Sequence, residues 1–196
     1  RSSTAGASWI DQSAGLGTKR VNTIRLKPGT SNEFYAGTDF GVYRGTDANG
    51  VMTWQQSNMA GFVCNIVTYI RAPSAPSTPS TNNFVYAGTR CEGSTGTSGL
   101  HRSIDGGVNW SFVNWSGLGV STTLIRSINI SSSGQSVRVA TESDGIISST
   151  DHGVTWTRIN SGLSGPNGLA INDVAIFGSN ALNLLASVEG NGIFKS

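Results

Sequence analysis

Acidic side chains that follow short apolar segments are the residues of this chain best suited to acid–base chemistry. Asp39 comes directly after residues 34–38, and Glu142 and Asp144 come shortly after residues 137–140. Two carboxyl groups on facing elements, one acting as an acid and the other as a base or nucleophile, can hydrolyse a glycosidic bond. These three residues are therefore the candidates for catalysis, if the fold brings two of them together.

Other catalytic chemistries find less support in the sequence. With only two histidines, His101 and His152, no Ser/His/Asp arrangement is convincing. We interpret His152 as a structural or solvated turn residue and His101 as a residue on the face of a strand. No cluster has metal-ligand spacing and no Gly-rich loop has the pattern that cradles phosphate, so we expect no metal and no cofactor.

A repeated turn motif indicates which elements position these side chains. Residues 103–110 have the pattern S-x-D-x-G-x-x-W, and residues 149–156 repeat it. A looser copy runs over residues 45–54, and a degenerate copy at residues 2–9 has Thr4 in place of Asp. Asp accepts hydrogen bonds from backbone N–H groups further along the turn, Gly adopts a backbone shape that other residues resist, and Trp anchors the next strand. The predicted structural residues are Asp47, Asp105, Gly107, Trp110, Asp151, Gly153 and Trp156.

These residues resemble the Asp-box, or BNR, repeat, and the resemblance extends over nearly the whole chain. That repeat occurs in β-propellers such as sialidases, sortilin-type receptors, photosystem assembly factors and xyloglucan-cleaving glycosidases. In that family the box lies on a peripheral turn between the outer two strands of a blade, usually remote from any active site. The resemblance therefore implies an all-β propeller of four-stranded antiparallel blades and says little about function.

The chain divides into four repeats, which we predict to form one propeller domain over residues 1–196. Each repeat is read as four short strands separated by turns, a length that suits one propeller blade. The predicted blades are residues 21–61, 62–119, 120–165, and 166–196 together with 1–17.

The fourth repeat ends one strand short, and residues 9–13 match the missing strand. We expect this N-terminal strand to complete the last blade and close a four-bladed monomer, which would remove an exposed sheet edge. The alternatives are a fragment of a longer propeller, a dimer forming one eight-bladed ring, and strand-exchanged oligomers or filaments. Strand exchange is considered because Lys195-Ser196 and Arg1-Ser2 hold nearly the same repeat position.

In a propeller the first strand of each blade starts at the face where ligands usually bind, and the turn between the second and third strands reaches that same face. This arrangement predicts a site for a polysaccharide, glycan or protein ligand, the alternative being that these side chains are simply solvated. The candidate ligand-face residues are Asn22, Asn65, Arg126, Asn172, Glu92 and Glu189, together with the carboxylates named above.

Residues 35–44, Y-A-G-T-D-F-G-V-Y-R, resemble a stretch of the xyloglucan-active family 74 glycoside hydrolases in which the Asp is catalytic. That resemblance implies Asp39 as a catalytic carboxylate, with Glu142 or Asp144 on the opposite blade as its partner. This chain is shorter than such two-propeller enzymes, and similar wording occurs in non-catalytic repeats. A sialidase would need three clustered arginines, for which Arg20, Arg126 and Arg138 are available, but no FRIP-type sequence precedes the first box. We therefore favour a non-catalytic binding or structural module; the alternative is a glycoside hydrolase acting on β-glucan or xyloglucan.

Composition and charge limit the partners and the cellular location expected for this protein. Only 12% of the residues are charged, the net charge is +2 and no basic run is present, so we expect no nucleic-acid partner. No apolar run approaches the roughly 20 residues of a membrane-spanning helix. The chain carries no signal peptide or initiator Met, which fits either a mature secreted product or an excised fragment.

The two cysteines, Cys64 and Cys91, fit neither a zinc motif nor a redox pair. We predict a disulfide, the alternative being two buried thiols. A disulfide favours an oxidising compartment, hence a secreted, extracellular or periplasmic protein. Asn114 and Asn129 begin possible N-glycosylation sites, and the Pro/Ser/Thr-rich residues 73–81 could carry O-glycans.

Overall fold

The computed structural model describes residues 2–62, 64–74, 83–92, 98–120, 124–164, 169–178 and 182–196. Within them the chain forms four antiparallel sheets, numbered here in chain order, and a short 3-10 turn at Ser116–Leu118. Sheet 1 contains β1 (Val21–Leu26), β2 (Glu33–Thr38), β3 (Gly41–Ala48) and β4 (Val51–Gln56). Sheet 2 contains β5 (Ile66–Arg71), β6 (Val85–Arg90), β7 (Gly99–Ser103) and β8 (Ser111–Phe112). Sheet 3 contains β9 (Ile125–Ile130), β10 (Val137–Thr141), β11 (Ile146–Ser149) and β12 (Thr157–Arg158), and sheet 4 contains β13 (Ile171–Phe177), β14 (Asn183–Val188) and β15 (Gly192–Lys195).

In each sheet the strands pair in chain order, so the predicted all-β architecture of repeated antiparallel sheets is confirmed. The sheets stack face to face, because the first strand of each sheet packs on the first two strands of the preceding one. Gly37 allows this approach: a Cβ there would lie 2.7 Å from Val67 Cγ1 of the next sheet. Gly88 holds the same place between sheets 2 and 3, where a Cβ would lie 2.9 Å from Ile125 Cβ.

Three apolar clusters fill the spaces between successive sheets. Tyr35 and Val42 of sheet 1 pack with Val67, Ile70 and Trp110 of sheet 2. Tyr86 and Leu100 continue the pattern against sheet 3, and Ala140 and Ile146 continue it against sheet 4. Burial of these side chains supplies the main driving force for stacking, at roughly 1.5–3 kcal/mol for each large aliphatic or aromatic side chain.

The turns at residues 103–110 and 149–156 have matching hydrogen bonds. Ser103 Oγ accepts from the N–H of Gly107 at 2.8 Å, and Asp105 Oδ1 accepts from the N–H of Asn109 at 2.9 Å. In the second turn Ser149 and Asp151 accept in the same way from Gly153 and Thr155. Trp110 and Trp156 each donate the indole N–H to the carbonyl of the turn glycine at 3.1 Å. These side chains are used within the turns and toward the next sheet, which fits a structural role.

The looser copy in sheet 1 folds differently from the prediction. β3 and β4 continue pairing up to Ala48 and Val51, joined by the two-residue turn Asn49-Gly50, in which both residues have positive φ. Asn-Gly is strongly favoured in such hairpin turns. Asp47 Oδ1 accepts from the N–H of Gly50 at 2.8 Å, so Asp47 supports a tight hairpin rather than the longer turn of the other copies.

The degenerate copy at residues 2–9 does form the turn. Ser2 Oγ accepts from the N–H of Gly6 at 2.9 Å, and Thr4 Oγ1 accepts from the N–H of Ser8 at 2.9 Å. The Thr4 hydroxyl therefore occupies the place of the carboxylate. Ala5 and Gly6 have positive φ, as the corresponding residues of the later turns do.

The expected completion of sheet 4 by the N-terminal segment is wrong for this structure. Among the described residues sheet 4 has three strands, and residues 9–13 form none. Instead the segment is held on sheet 1, where the Gln12 carbonyl accepts from Trp54 Nε1 at 2.9 Å and Leu16 packs on Ala36 and Tyr43. Segment 58–62 is held on sheet 2 in the same manner, since Phe62 packs beside Trp110.

The four sheets form an open arc rather than the expected closed ring of four. No packing comparable to that between successive sheets joins sheet 4 to sheet 1 in the described part of the chain. Ile24 on sheet 1 is 51% exposed and Ile193 on sheet 4 is 75% exposed, so an apolar face remains uncovered at each end.

The predicted disulfide is present, joining Cys64 and Cys91 with a Cα–Cα distance of 5.1 Å. Asn114 is exposed, whereas Asn129 is half-buried on β9. Most of the Pro/Ser/Thr-rich stretch, residues 75–81, lies outside the described residues. No described helix has the length and apolar character needed to cross a membrane.

Candidate functional site

The candidate site lies at the edge where the first strand of every sheet begins. Because the second strand runs antiparallel, its end and the following turn reach the same edge; Val21 pairs with Thr38, and Ile171 with Val188. The third strand then runs toward the opposite edge, where the motif turns lie. All the residues predicted for the ligand face therefore belong to one edge of the arc.

Arg126 is the centre of a charged cluster at this edge. Its guanidinium donates to Glu189 Oε2 at 2.5 Å and to Glu142 Oε1 at 3.1 Å, and it also bonds Asn172 Oδ1. The hydrogen bond that Arg126 donates to Glu189, reinforced by the one to Glu142, raises the pKa of Arg126 above its ordinary value although partial burial opposes it. Four of the predicted residues are thus brought together across sheets 3 and 4.

An open cavity of about 340 Å³ adjoins this cluster between sheets 1, 2 and 3. Polar groups from three sheets converge on it, and Asn22 is fixed there by donating to the Val67 carbonyl at 3.1 Å. The side chains lining it include Arg20, Asn22, Tyr69, Arg90, Arg126 and Glu142.

A second open cavity, of about 550 Å³, lies beside the disulfide. Arg20 and Arg90 line it as well as the first cavity, so the two form a continuous surface. Glu92 is paired with Arg90 at its rim. Its other lining residues include Asp39, Phe40, Asn65, Cys64 and Cys91.

The predicted catalytic carboxylates are not gathered at one point. Asp39 lines the second cavity and accepts from the backbone N–H of Arg20 at 3.1 Å, whereas Glu142 lines the first cavity and is bonded to Arg126. Asp144 lines neither cavity; its carboxylate pairs with Arg158 at 2.7 Å, and its side chain is only 17% exposed. Asp39 and Glu142 therefore line adjoining parts of one surface, and each already accepts a hydrogen bond within the protein.

The arginine set considered for a sialidase is also separated. Arg20 and Arg126 share a cavity, but Arg138 is buried in sheet 3 and donates to the Ser149 carbonyl at 2.9 Å. His101 is fully buried and stacks on Phe62 with ring centroids 4.2 Å apart. His152 stacks on Phe84 within its turn, so both histidines serve packing.

Sequence reasoning missed several lining residues. Arg90 and Tyr69 were not considered, and Arg20 was considered only as a sialidase arginine. Their positions relative to the strands could have identified them, because Arg20 precedes β1 and Arg90 ends β6 at the same edge. Phe40, 56% exposed in the turn after β2, is an aromatic ring presented to solvent beside Asp39.

No group of three or more His, Cys, Asp or Glu side chains that could hold a metal ion is found among the residues that the structure describes.

Comparison with known proteins places the fold. No family profile and no curated protein matches the chain. Among solved structures it is similar to an ancestral GH74 enzyme, with 20% identity over 85% of this chain and 22% of that one and a TM-score of 0.62. It is also similar to the GH74 xyloglucanase from Xanthomonas campestris, with 17% identity over 92% of this chain and 29% of that one and a TM-score of 0.61. The GH74 enzyme of Niastella koreensis gives 20% identity, coverage of 90% and 28%, and a TM-score of 0.62.

These similarities show that the chain has the fold of part of a β-propeller protein. It spans less than a third of the length of each of these enzymes, and at these identities the likeness concerns the fold alone.

Proposed function

We propose that this chain is a secreted propeller module of the Asp-box type that binds a neutral carbohydrate without cleaving it. The observation that carries the proposal is the Arg126 cluster beside the continuous surface formed by the two cavities. The blade boundaries predicted from the sequence, residues 21–61, 62–119, 120–165 and 166–196, are part of the proposal, with residues 12–16 held on the first blade.

The charge balance of the cluster supports a neutral ligand. Arg126 is already paired with two carboxylates and an amide oxygen, so it offers little to an anion. Carboxylate oxygens accept hydrogen bonds, and Asn side chains both donate and accept. Such a mixture complements sugar hydroxyl groups, which also do both.

Phe40 adds an apolar contact surface at the other end of the same face. An exposed aromatic ring gives contact area at low conformational cost, and its face suits the C–H groups of a sugar ring. Asp39 next to it would accept from a sugar hydroxyl. The Cys64–Cys91 disulfide borders this cavity, which supports a rigid site and an oxidising compartment.

Glycan-array binding followed by calorimetry tests the proposal. With the ligand identified, Arg126→Ala is expected to weaken binding at least tenfold, because Glu142 and Glu189 lose their shared partner and shift. Arg25→Ala is the matched control, since Arg25 lies near the far end of β1 and donates only to the Ile24 carbonyl among the described contacts. Absence of glycan binding, or equal affinity in both variants, would contradict the proposal; selective capture of a protein would favour a protein ligand.

The second candidate is a glycoside hydrolase that uses Asp39. Its support is the resemblance of residues 35–44 to the family 74 stretch, together with the position of Asp39 in an open cavity. Glu142 is bonded to Arg126 and Asp144 to Arg158, so neither is arranged as an acid or base partner of Asp39, which favours binding over this candidate.

A further inference from the structure

Sheet 4 carries a groove in the place where each of the other sheets holds a tryptophan. The groove measures about 480 Å³ and lies along β15. Its lining includes Gly162, Leu163, Ala186, Phe194 and Ser196. The corresponding place in sheet 1 is filled by Trp54, which contacts Gly15, Leu16, Ala36, Tyr43 and Gly45.

A glycine precedes each apolar residue that docks beside a tryptophan position, namely Leu16, Phe62 and Leu163. The space around these glycines also shows that the tryptophan is missing from sheet 4. A Cβ on Gly15 would lie 2.9 Å from the Trp54 carbonyl oxygen, and one on Gly61 would collide with the Trp110 carbonyl. A Cβ on Gly162 would meet nothing within 4 Å. Sheet 4 therefore has the surroundings of a tryptophan-bearing strand without that strand among the described residues.

Trp9 is the tryptophan that lacks such surroundings. It follows a fully formed motif turn, as Trp110 and Trp156 do, yet it is 76% exposed, whereas Trp110 is 5% exposed. Its own sheet 1 already holds Trp54. In the described part of the chain, sheet 4 lacks a strand that carries a tryptophan, and the segment that begins at Trp9 matches such a strand without a sheet of its own.

We propose that Trp9 of a second copy of this chain fills the groove on sheet 4, and that residues 9–12 of that copy pair with β15. The pairing of β3 with β4 gives the register: Tyr43 faces Gln56 and Arg44 faces Gln55. By equivalence, Phe194 faces Asp11 and Lys195 faces Ile10 of the second copy.

The second copy, rather than the chain's own N-terminus, is the occupant because the two ends of the arc do not meet. Residues 12–16 stay docked on sheet 1. The packing of one sheet on the preceding sheet occurs three times along the chain without closing the ring. Sheet 1 of a second copy, placed beyond sheet 4, would pack on sheet 4 in the same way as each sheet packs on the one before it.

The outer faces of sheet 1 and sheet 4 carry exposed apolar residues at the positions that are buried between the other sheets. Ile24 on sheet 1 is 51% exposed, whereas Ile70, its equivalent on sheet 2, is 0% exposed. Ile193 on sheet 4 is 75% exposed, whereas Val42, its equivalent on sheet 1, is 0% exposed. Docking of sheet 1 of one copy on sheet 4 of the other would cover both residues.

Two copies related by a two-fold axis form two identical seams and a ring of eight sheets. Propellers typically have four to eight blades, and a closed ring leaves only short, protected edges. Two-fold dimers are the commonest closed assembly of identical chains.

Mass measurement by light scattering at micromolar concentrations tests the assembly. We expect a species of about twice the 20.4 kDa of one chain, and at least a tenfold weaker dimer for Trp9→Ala. Ile104→Ala is the control, because Ile104 is also exposed, at 64%, but lies on a motif turn away from the seam. Circular dichroism verifies that both variants fold; a monomer at all concentrations would overturn the proposal.

Cysteine crosslinking distinguishes a second copy from self-closure. Facing residues on antiparallel strands have Cα atoms about 4.5–5.5 Å apart, within the range of a disulfide. Mixing Ile10→Cys protein with Lys195→Cys protein should give a crosslinked band of two chains that reductant removes. If the double variant instead forms the bond within one chain and the mixture gives no such band, the proposal is wrong.

Discussion

The hydroxyl of Tyr35 donates a hydrogen bond to the carbonyl of Gly106 at 3.1 Å, joining the second strand of sheet 1 to the motif turn of sheet 2. Tyr86 repeats this contact one sheet later with His152, at 2.6 Å. Burial raises the pKa of Tyr86 to about 12, so the hydroxyl remains a donor at neutral pH. The motif turns thus fasten successive sheets together, at the edge opposite the candidate ligand site.

Removing this contact should destabilise the protein without affecting the ligand face. Tyr35→Phe leaves the Gly106 carbonyl without its partner, at a cost of about 1–3 kcal/mol. Tyr69→Phe is the control, because no hydrogen bond of the Tyr69 hydroxyl is seen among the described residues. Urea unfolding measures the difference; equal stability of the two variants would show that the Tyr35 contact contributes little.

The turn carboxylates should likewise affect stability rather than binding. Asp105 and Asp151 each accept two backbone N–H groups, so Asp105→Ala and Asp151→Ala should each cost about 1–2 kcal/mol. Unchanged melting temperatures in both variants, or an altered affinity for the ligand, would contradict this role.

Protonation of the turn carboxylates at low pH should destabilise the protein. Burial alone would raise the pKa of Asp151, but hydrogen bonds from Thr155, Ser149 and the N–H of Val154 outweigh it and lower the pKa to about 2. The folded pKa is below the unfolded value of about 3.9, so this stabilisation is present above pH ~4 and is lost as the pH falls toward 2. Asp151→Asn should show a flatter stability profile in that window, and an unchanged profile would refute the assignment.

His101 should produce a separate pH dependence at higher pH. Burial lowers its pKa to about 4 despite an opposing hydrogen bond with the Gly61 backbone. Because the unfolded chain binds a proton at about pH 6.5, stability should fall by up to about 3 kcal/mol between pH 6.5 and 4. His101→Phe should remove most of this loss in denaturant titrations; an unchanged loss in this variant would contradict the assignment to His101.

Reduction of the Cys64–Cys91 bond should destabilise the protein. In the loop-entropy model, closing a loop of 27 residues is worth about 3–4 kcal/mol. The variant carrying Cys64→Ser and Cys91→Ser should unfold at correspondingly lower urea, with intact-mass analysis confirming the bond in the parent. Two free thiols in the isolated parent would rule out the disulfide.

The sequence was sufficient for the sheets and for the edge that carries the site. Four repeats of short strands separated by turns predict the successive antiparallel sheets, and the residues of the Arg126 cluster follow from the order of strands within each repeat. The disulfide also followed, because Cys64 precedes one strand and Cys91 directly follows its antiparallel partner.

The missed features depend on competition between local and long-range contacts. Asn49-Gly50 makes a tighter turn than the motif, so Asp47 takes another role. Residues 9–13 match a strand in sequence, yet the contact of Gln12 with Trp54 keeps this segment on sheet 1. Ring closure depends on the angle between sheets, and the distance from Asp39 to a partner carboxylate depends on that same angle; neither can be obtained from strand patterns.

Incubation of the protein with xyloglucan and other β-glucans, with the products analysed by mass spectrometry, tests the central claim most directly. Because Glu142 and Asp144 are each paired with an arginine, the account predicts binding without release of oligosaccharides, in the parent and in Asp39→Asn alike. Release of oligosaccharides by the parent that is abolished in Asp39→Asn would contradict the claim and identify the protein as a glycoside hydrolase.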